Sequence, residues 1–273
     1  MKKPLTVVKS NKVIESSYRL TLNEQRLVLA CIAQIKKGRV VSIEDRFEVS
    51  AAEFAELFNV PLDRAYGELQ NVAERLYARS VTIQNPDPDD PRITHTKTRW
   101  ISSIDYIPKH GSLVLRFASR IIPFISLLEG SFKPYLLESV AGMSSIYGIR
   151  FYELLMQWEC RGEREIALDD LKRMLELEGQ YAAIKDFKKY VIEPAMRDIN
   201  EHSDLQASYT QRKAGRVVTH LIFTFKPKVA KRDKSVVPPR ITKAEIERHA
   251  RPGESYADVE TRLKAAKEGG KQP

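Results

Sequence analysis

The chain has 273 residues, of which 42% are hydrophobic, and a formal net charge of +9 at pH 7. That length and apolar content provide for one large or two medium domains with buried cores, and the charge favours a phosphate-rich partner, either nucleic acid or an anionic membrane surface. Since no apolar run approaches the length of a transmembrane helix and the N-terminal residues MKKPLTVVKSNK lack the core of a signal peptide, we expect a cytoplasmic protein that does not enter a membrane.

The first predicted helix begins at a capping box. Thr21 and Glu24 form the S/T-x-x-E pattern, and the helix that follows is predicted to end in the basic turn at Gly38. Cys31 lies on the apolar face of this helix, and Cys160 lies far along the chain, outside any CxxC or Cys/His cluster. Free cysteine packs as a small hydrophobic residue, so we expect two buried thiols, no disulfide and no metal site.

A second capping box, from Ser50 to Glu53, begins a helix-turn-helix. A break at residues 59–61 separates this short helix from a second one, whose apolar face extends to Leu76. Strands are then predicted at residues 80–84, 98–107 and 112–118, with an acidic, proline-rich loop at 85–91 and a connection of mixed helix and loop at 121–145.

The second half of the chain repeats the order of the first. Its predicted elements are a helix at 147–158, a short strand at 166–168, helices at 169–177 and 181–202, and a β-hairpin. The repeated order indicates an internal duplication that shows in the pattern of elements rather than in identical residues.

The last of these helices carries a cluster of positive charge. Apolar residues recur at intervals of three and four, at Ile184, Phe187, Val191, Ala195 and Ile199. Lys185, Lys188 and Lys189 fall together on a neighbouring face, where their like charges repel one another unless an anion lies against them. Pro194 is expected to bend this helix, because it removes one backbone hydrogen bond.

The hairpin after Ser203 is also basic. Its connection is predicted at residues 211–216, where a glycine provides the tight turn and Arg212, Lys213 and Arg216 place three cations at the tip without an acid. A helix followed by a basic hairpin is typical of the recognition half of a winged helix, in which the helix enters the major groove and the hairpin tip lies against the phosphates.

Together these patterns predict an α+β protein of two tandem winged-helix domains with a partly disordered basic C-terminal tail. The N-terminal winged helix is predicted at residues 1–135, where it would dimerise and contact the DNA backbone. The C-terminal winged helix is predicted at residues 144–226, where it would provide the main DNA recognition. Residues 227–273 are predicted to be a basic tail, made of a linker and one or two short helices.

Four strings of this sequence are similar to the iteron-binding replication initiators of theta-replicating bacterial plasmids. They are KSNKVIESSYRLTLNEQRLVLACI (9–32), SSIYGIRFYELLMQW (144–158), DFKKYVIEPAMRDIN (186–200) and SYTQRKAGRVVTHLIFTF (208–225), and they follow the order of that family. The resemblance implies two winged-helix domains that bind repeated origin sequences, with monomers that initiate replication and dimers that repress or couple origins. It also implies the host replication initiator and replicative helicase as partners.

Each candidate DNA contact could instead be a solvated surface residue or part of an intramolecular ion pair. The contacts are Lys185, Lys188, Lys189, Arg197, Arg212, Lys213 and Arg216 in the second domain, and Arg64, Asn71 and Arg75 in the first. A lysine cluster is often only a solvated face, but the basic hairpin beside this one favours DNA. The mixed surface of the first domain could equally be solvated, and for Arg197 the alternative is an ion pair with Glu193 or Glu201.

No motif of the sequence points to an enzyme. There is no GxxxxGK[ST] loop for a nucleotide, and no two of the five histidines form the close pair that a metal-dependent nicking initiator needs. The acidic residues from Glu153 to Asp170 are interpreted as solvated helix surface. We therefore expect no catalytic residue, no metal and no cofactor.

The resulting hypothesis is a plasmid replication initiator that binds repeated double-stranded DNA sites, opens the origin and recruits host replication proteins. It would associate with itself and repress its own promoter as a dimer. The alternative is a winged-helix transcriptional repressor without initiator activity.

Overall fold

The computed structural model describes residues 4–36, 38–87, 89–126, 134–228 and 263, without the side chains of Asp63 and Arg64. Apart from residues 227, 228 and 263, the predicted basic tail lies outside the described residues. Within these ranges, no helix is both long and apolar enough to cross a membrane.

The first winged helix contains a helix-turn-helix and two small sheets. Its elements are β1 Thr6–Val7, α1 Asn11–Ile14, α2 Leu22–Ile32, β2 Phe47–Ser50, α3 Ala51–Phe58, α4 Leu62–Ala78, β3 Ser80–Gln84, β4 His95–Arg99, β5 Ile101–Ile107 and β6 Ser112–Phe117. The turn between α3 and α4 begins at Asn59, which ends α3 in the left-handed conformation with φ 52°.

Local sequence signals set the helix starts of this half. Both predicted capping boxes are confirmed, with Thr21 capping α2 and Ser50 capping α3. The end of α2 was predicted too late, because the helix stops at Ile32 and not near Gly38. The amides of Gln34 and Ile35 bond to the carbonyls three residues before them, so the chain tightens into turns there.

The second half of the chain has the same order of elements after a short connection. Its elements are β7 Tyr135–Leu136, α5 Glu138–Ala141, α6 Gly148–Met156, β8 Glu163–Ala167, α7 Leu168–Met174, α8 Ile184–Phe187, a π-helical turn at Lys188–Ile192, α9 Glu193–His202, β9 Leu205–Ala214 and β10 Val217–Pro227. The pairing of β7 with β1 was not predicted, since each strand has only two residues.

The two halves contain equivalent three-stranded antiparallel sheets. In the first, β6 lies between β2 and β5, and in the second, β10 lies between β8 and β9. In each sheet the strand that precedes the helix-turn-helix pairs with the last strand of the hairpin that follows it. The predicted tandem winged-helix fold is confirmed. The halves differ in the two-stranded β3–β4 sheet, which is inserted after α4 in the first half.

Residues 1–228 form one compact unit. The N-terminal segment contributes to this by bonding to the second half of the chain: the Ser17 hydroxyl donates to the Arg173 carbonyl over 2.6 Å, and the Arg150 guanidinium donates to the Ser16 carbonyl over 2.9 Å. A division of this unit into domains at 1–135 and 144–226 therefore stays a prediction.

Two predictions about single side chains of α6 and the turn after it are wrong. Cys31 is buried as expected, but Cys160 is exposed, because it lies in the turns that follow the end of α6. Glu153 is fully buried rather than solvated. Its Oε1 atom is 2.5 Å from the Lys9 Nζ atom and accepts a 2.6 Å hydrogen bond from the Tyr135 hydroxyl, since the N-terminal segment covers this face of α6.

Candidate nucleic-acid interface

The helical segment at residues 184–202 is the predicted recognition helix, and it is not a regular α-helix. The π-helical turn ends at Ile192, two residues before Pro194, and the Glu193 amide bonds to the Lys188 carbonyl, five residues back. A proline ring clashes with the carbonyl four residues before it in a regular helix. The wider turn accommodates the proline within a continuous helical segment, which begins at Ile184 instead of at the predicted residue 181.

The apolar stripe of this segment is buried as predicted. Phe187, Val191, Ala195 and Ile199 have no exposed surface, and Ile184 packs against the same core. Asp198, also buried, fixes the segment as well, since its carboxylate accepts hydrogen bonds from the amide and hydroxyl of Ser144 and from the amide of Ser145.

Burial of that stripe orients the three predicted lysines outward. Lys185 and Lys189 are exposed, and Lys188 is half-buried. The Lys188 ammonium donates to the Gln211 side-chain carbonyl and lies 5.8 Å from the centre of the Tyr209 ring, so it connects the recognition helix to strand β9. Among the residues that the structure describes, no carboxylate forms an ion pair with these three ammonium groups.

The β9–β10 hairpin, called the wing below, is longer than predicted. The ladder continues to the pair of Ala214 and Val217, so the loop contains only Gly215 and Arg216 rather than residues 211–216. Gly215 has φ 62°, and a positive φ at the first of two loop residues is the pattern of a type II′ turn. The wing therefore extends as a paired ribbon almost to its tip.

The wing carries its predicted cations in different environments. Lys213 and Arg216 are exposed at the tip. Arg212 lies in strand β9, and its Nε atom donates to Glu165 Oε1 over 2.6 Å. The predicted acid-free tip is thus wrong for Arg212, because β8 brings Glu165 to the same sheet, but both side chains of the pair remain about half-exposed.

The three predicted contacts of the first winged helix lie in different environments. Asn71 is exposed on α4. Arg75 is also exposed, but its Nε atom lies 3.4 Å from Glu24 Oε1, and the Arg79 Nε atom lies 3.0 Å from Glu24 Oε2. Because Glu24 is fully buried, Arg75 has a structural contact between α2 and α4. The side chain of Arg64 lies outside the described residues.

Arg197 is exposed on α9. Within the described part of the chain, it forms no ion pair with Glu193 or Glu201. The Glu201 Oε2 atom lies 3.9 Å from the His202 Nε2 atom instead. Arg197 therefore stays a candidate contact.

Sequence reasoning missed the side chains that join the recognition helix to the wing. Tyr209 was predicted only as a strand residue and Gln211 only as part of the hairpin connection, yet both lie on the face of β9 that meets Lys188, two residues apart. Burial, with a smaller contribution from the Glu193 carboxylate, raises the pKa of Tyr209, so its phenol is neutral beside the ammonium group. In the described ranges, no three His, Cys, Asp or Glu side chains lie close enough together to hold a metal ion.

Comparison with known proteins gives the family. The model described as Initiator Replication protein, WH1, matches residues 6–156, and the model described as Initiator Rep protein, WH2, matches residues 167–225. Both halves of the chain are therefore covered. The chain belongs to the replication initiator protein family. The resemblance predicted from the four sequence strings is confirmed.

Individual relatives and a solved structure agree with this family assignment. A replication initiation protein of Escherichia coli is 30% identical over 232 residues, which are 80% of this chain and 69% of the relative. The PI protein of Escherichia coli is 23% identical over 245 residues, with 79% of this chain and 80% of the relative covered. Among solved structures, the Pi initiator protein in complex with iteron DNA has a TM-score of 0.71 and 22% identity, and the match covers 84% of this chain and all of that one.

Proposed function

We propose that this replication initiator binds iterons, the repeated double-stranded DNA sites of a plasmid origin, and that its second winged helix is the main reader. The observation that carries the proposal is the surface formed by the recognition helix and the wing, where Lys185, Lys189, Lys213 and Arg216 are exposed. The solved relative whose fold this chain shares was crystallised with iteron DNA, which supports the same partner here.

The recognition helix and the wing would contact different parts of the DNA. The helix segment would enter the major groove, and the wing would lie along the adjacent phosphates. The hydrogen bond from Lys188 to Gln211 would hold the two at a fixed angle before DNA arrives. Each cation that contacts a phosphate releases condensed counterions, so binding should weaken as the salt concentration rises.

The first winged helix would contribute a second contact and the surface for self-association. Its α4 presents Asn71 and Arg75 for the backbone or groove. If the two recognition helices lie on one face of the duplex, their grooves are about 34–36 Å apart, so that one monomer covers roughly 20 base pairs. That length suits an origin repeat.

The proposed activity needs no enzymatic chemistry. Binding energy would bend or open nearby A·T-rich DNA, because flexible and weakly stacked steps deform at a low cost. The family resemblance supports a cytoplasmic initiator that recruits the host replication initiator and the replicative helicase, and a dimer that represses its own promoter.

Two experiments in sequence test the proposal. Selection of binding sites from random duplexes should return a long site that occurs as direct repeats in a plasmid origin. A supercoiled plasmid that carries these repeats should then replicate in a cell extract only when the protein is added. Specific binding without replication would favour the repressor, and no preference for any duplex would contradict both functions.

A further inference from the structure

Tyr190 is an exposed aromatic residue in the centre of the cationic helix. Its side chain is 53% exposed and lies in the π-helical turn. The Lys189 Nζ atom is 5.1 Å from the centre of its ring, and the ring of Tyr181 lies 6.4 Å away at an angle of 30°. Within the described residues its hydroxyl has no hydrogen-bond partner. Single exposed aromatic side chains are common, so exposure alone decides nothing.

What sets Tyr190 apart is the residue against which it rests. Tyr181 lies in the turn between α7 and α8 with φ 51°, in the left-handed region that a tyrosine seldom adopts. Its carbonyl accepts a 3.1 Å hydrogen bond from the Lys172 ammonium, and its ring meets Phe187 edge to face with 6.0 Å between ring centres. Strain of this kind persists only where the surroundings impose it, and it concentrates at functional sites.

The restrained Tyr181 limits where the Tyr190 ring can go. The tilted ring of Tyr181 lies on one side of Tyr190, and the ammonium group of Lys189, a proposed DNA contact, lies beside its ring. A tyrosine has few rotatable bonds, so little entropy is lost when such a ring is fixed against a ligand. The helix therefore presents a restrained, half-exposed aromatic ring beside the ammonium group of Lys189.

We propose that Tyr190 contacts the C5-methyl group of a thymine in the major groove and that Tyr181 positions it. This inference rests on the proposed function and deepens it. Lysine contacts to phosphate fix the protein on the duplex but carry no sequence information. The thymine methyl is the apolar feature of the major groove, and an apolar side chain against it discriminates between bases. Tyr190 would thus supply specificity that the lysines do not.

The test removes the methyl group and nothing else. In the duplex selected by the wild-type protein, each thymine is replaced in turn by deoxyuridine, and the dissociation constant is measured. At the contacted thymine, wild-type binding should weaken about fourfold, which corresponds to about 0.8 kcal/mol for one buried carbon group. Tyr190→Ala should bind more weakly than the wild type and show no further loss at that position, and Tyr190→Phe should behave as the wild type.

The outcomes separate this inference from the proposed function. Tyr106→Ala, which removes an exposed tyrosine of the first winged helix, should keep the full response to deoxyuridine. A wild-type protein that tolerates deoxyuridine at every thymine, or a Tyr190→Ala variant with the wild-type response, would overturn the inference and leave iteron binding standing. Selection that returns no preferred duplex would overturn the proposed function itself.

The role of Tyr181 has its own variant. Tyr181→Gly relieves the left-handed backbone and removes the ring, since glycine adopts positive φ without a steric penalty. The variant should melt no lower than Tyr190→Ala and should lose the fourfold response to the thymine methyl. A full response in this variant would show that Tyr181 does not position Tyr190.

Discussion

At the scale of single residues, half-buried Lys188 and exposed Lys189 of the recognition helix are the predicted phosphate contacts to test. Lys188→Ala with Lys189→Ala should reduce the magnitude of the negative slope of log K against log salt by up to about 1.8, because each lost phosphate contact removes about 0.9 from that magnitude on duplex DNA. Binding of the selected duplex, measured by fluorescence anisotropy over a series of salt concentrations, gives this slope.

The control for this pair is Lys36→Ala, an exposed lysine after the first long helix. It removes the same charge from a place with no proposed DNA contact, so its slope should match that of the wild type. If the double variant also kept the wild-type slope, Lys188 and Lys189 would not be phosphate contacts.

Single residues also show where sequence reasoning fails. The charge and spacing of Lys185, Lys188 and Lys189 were enough to predict an outward cationic face. Arg75 and Arg212 looked equally free, yet each lies beside a carboxylate 51 or 47 residues away in the chain. An ion pair across that separation depends on how elements pack, and no local pattern reports it.

At the scale of elements, the wing is held in register by its two-residue loop. Gly215→Ala should lower the free energy of unfolding by about 1 kcal/mol, because an L-residue is strained at the φ of 62° found there. No atom lies within 4 Å of the added methyl group, so the loss is a backbone effect. Urea denaturation measures it.

Gly67→Ala is the matched control for this change. Gly67 lies inside α4, and an added methyl group again meets no atom within 4 Å. Since alanine is the better helix former, this variant should gain about 0.5–1 kcal/mol. Equal effects of the two substitutions would contradict the assignment of strain to the Gly215 turn.

Elements differ in how well the sequence predicted them, and the reason is the range of the forces involved. The starts of α2 and α3 were found because a capping box lies within four residues. The wing was predicted too short, because the ladder that extends it forms between strands and overrides the turn signals of residues 211–216. Pro194 predicted a bend in the helix, whereas the structure has a π-helical turn there, which no sequence signal distinguishes from a simple bend.

At the scale of the whole molecule, the two winged helices are repeated units held in one compact body by the N-terminal segment. The pattern of elements was sufficient to predict the duplication. It did not predict that residues 9–18 contact the second half of the chain, where Lys9 meets Glu153 in the interior. A buried ion pair of this kind is costly to break from one side, because the remaining charge stays in a medium of low dielectric constant.

Removal of one partner of this pair should therefore destabilise the whole unit. Glu153→Ala leaves the Lys9 ammonium buried without a carboxylate and also takes the acceptor from the Tyr135 hydroxyl, so the free energy of unfolding should fall by about 3–5 kcal/mol. Urea denaturation followed by circular dichroism and by tryptophan fluorescence measures this loss. Because residues 1–228 are one compact unit, both signals should shift together.

The matched variant replaces both charges. Lys9→Met combined with Glu153→Met fills similar volumes with uncharged side chains, and apolar replacement of a buried ion pair is often neutral or stabilising. The double variant should therefore recover most of the stability that Glu153→Ala loses. If the double variant were as unstable as Glu153→Ala, the stability at this site would come from packing volume or from the Tyr135 hydrogen bond rather than from the ion pair.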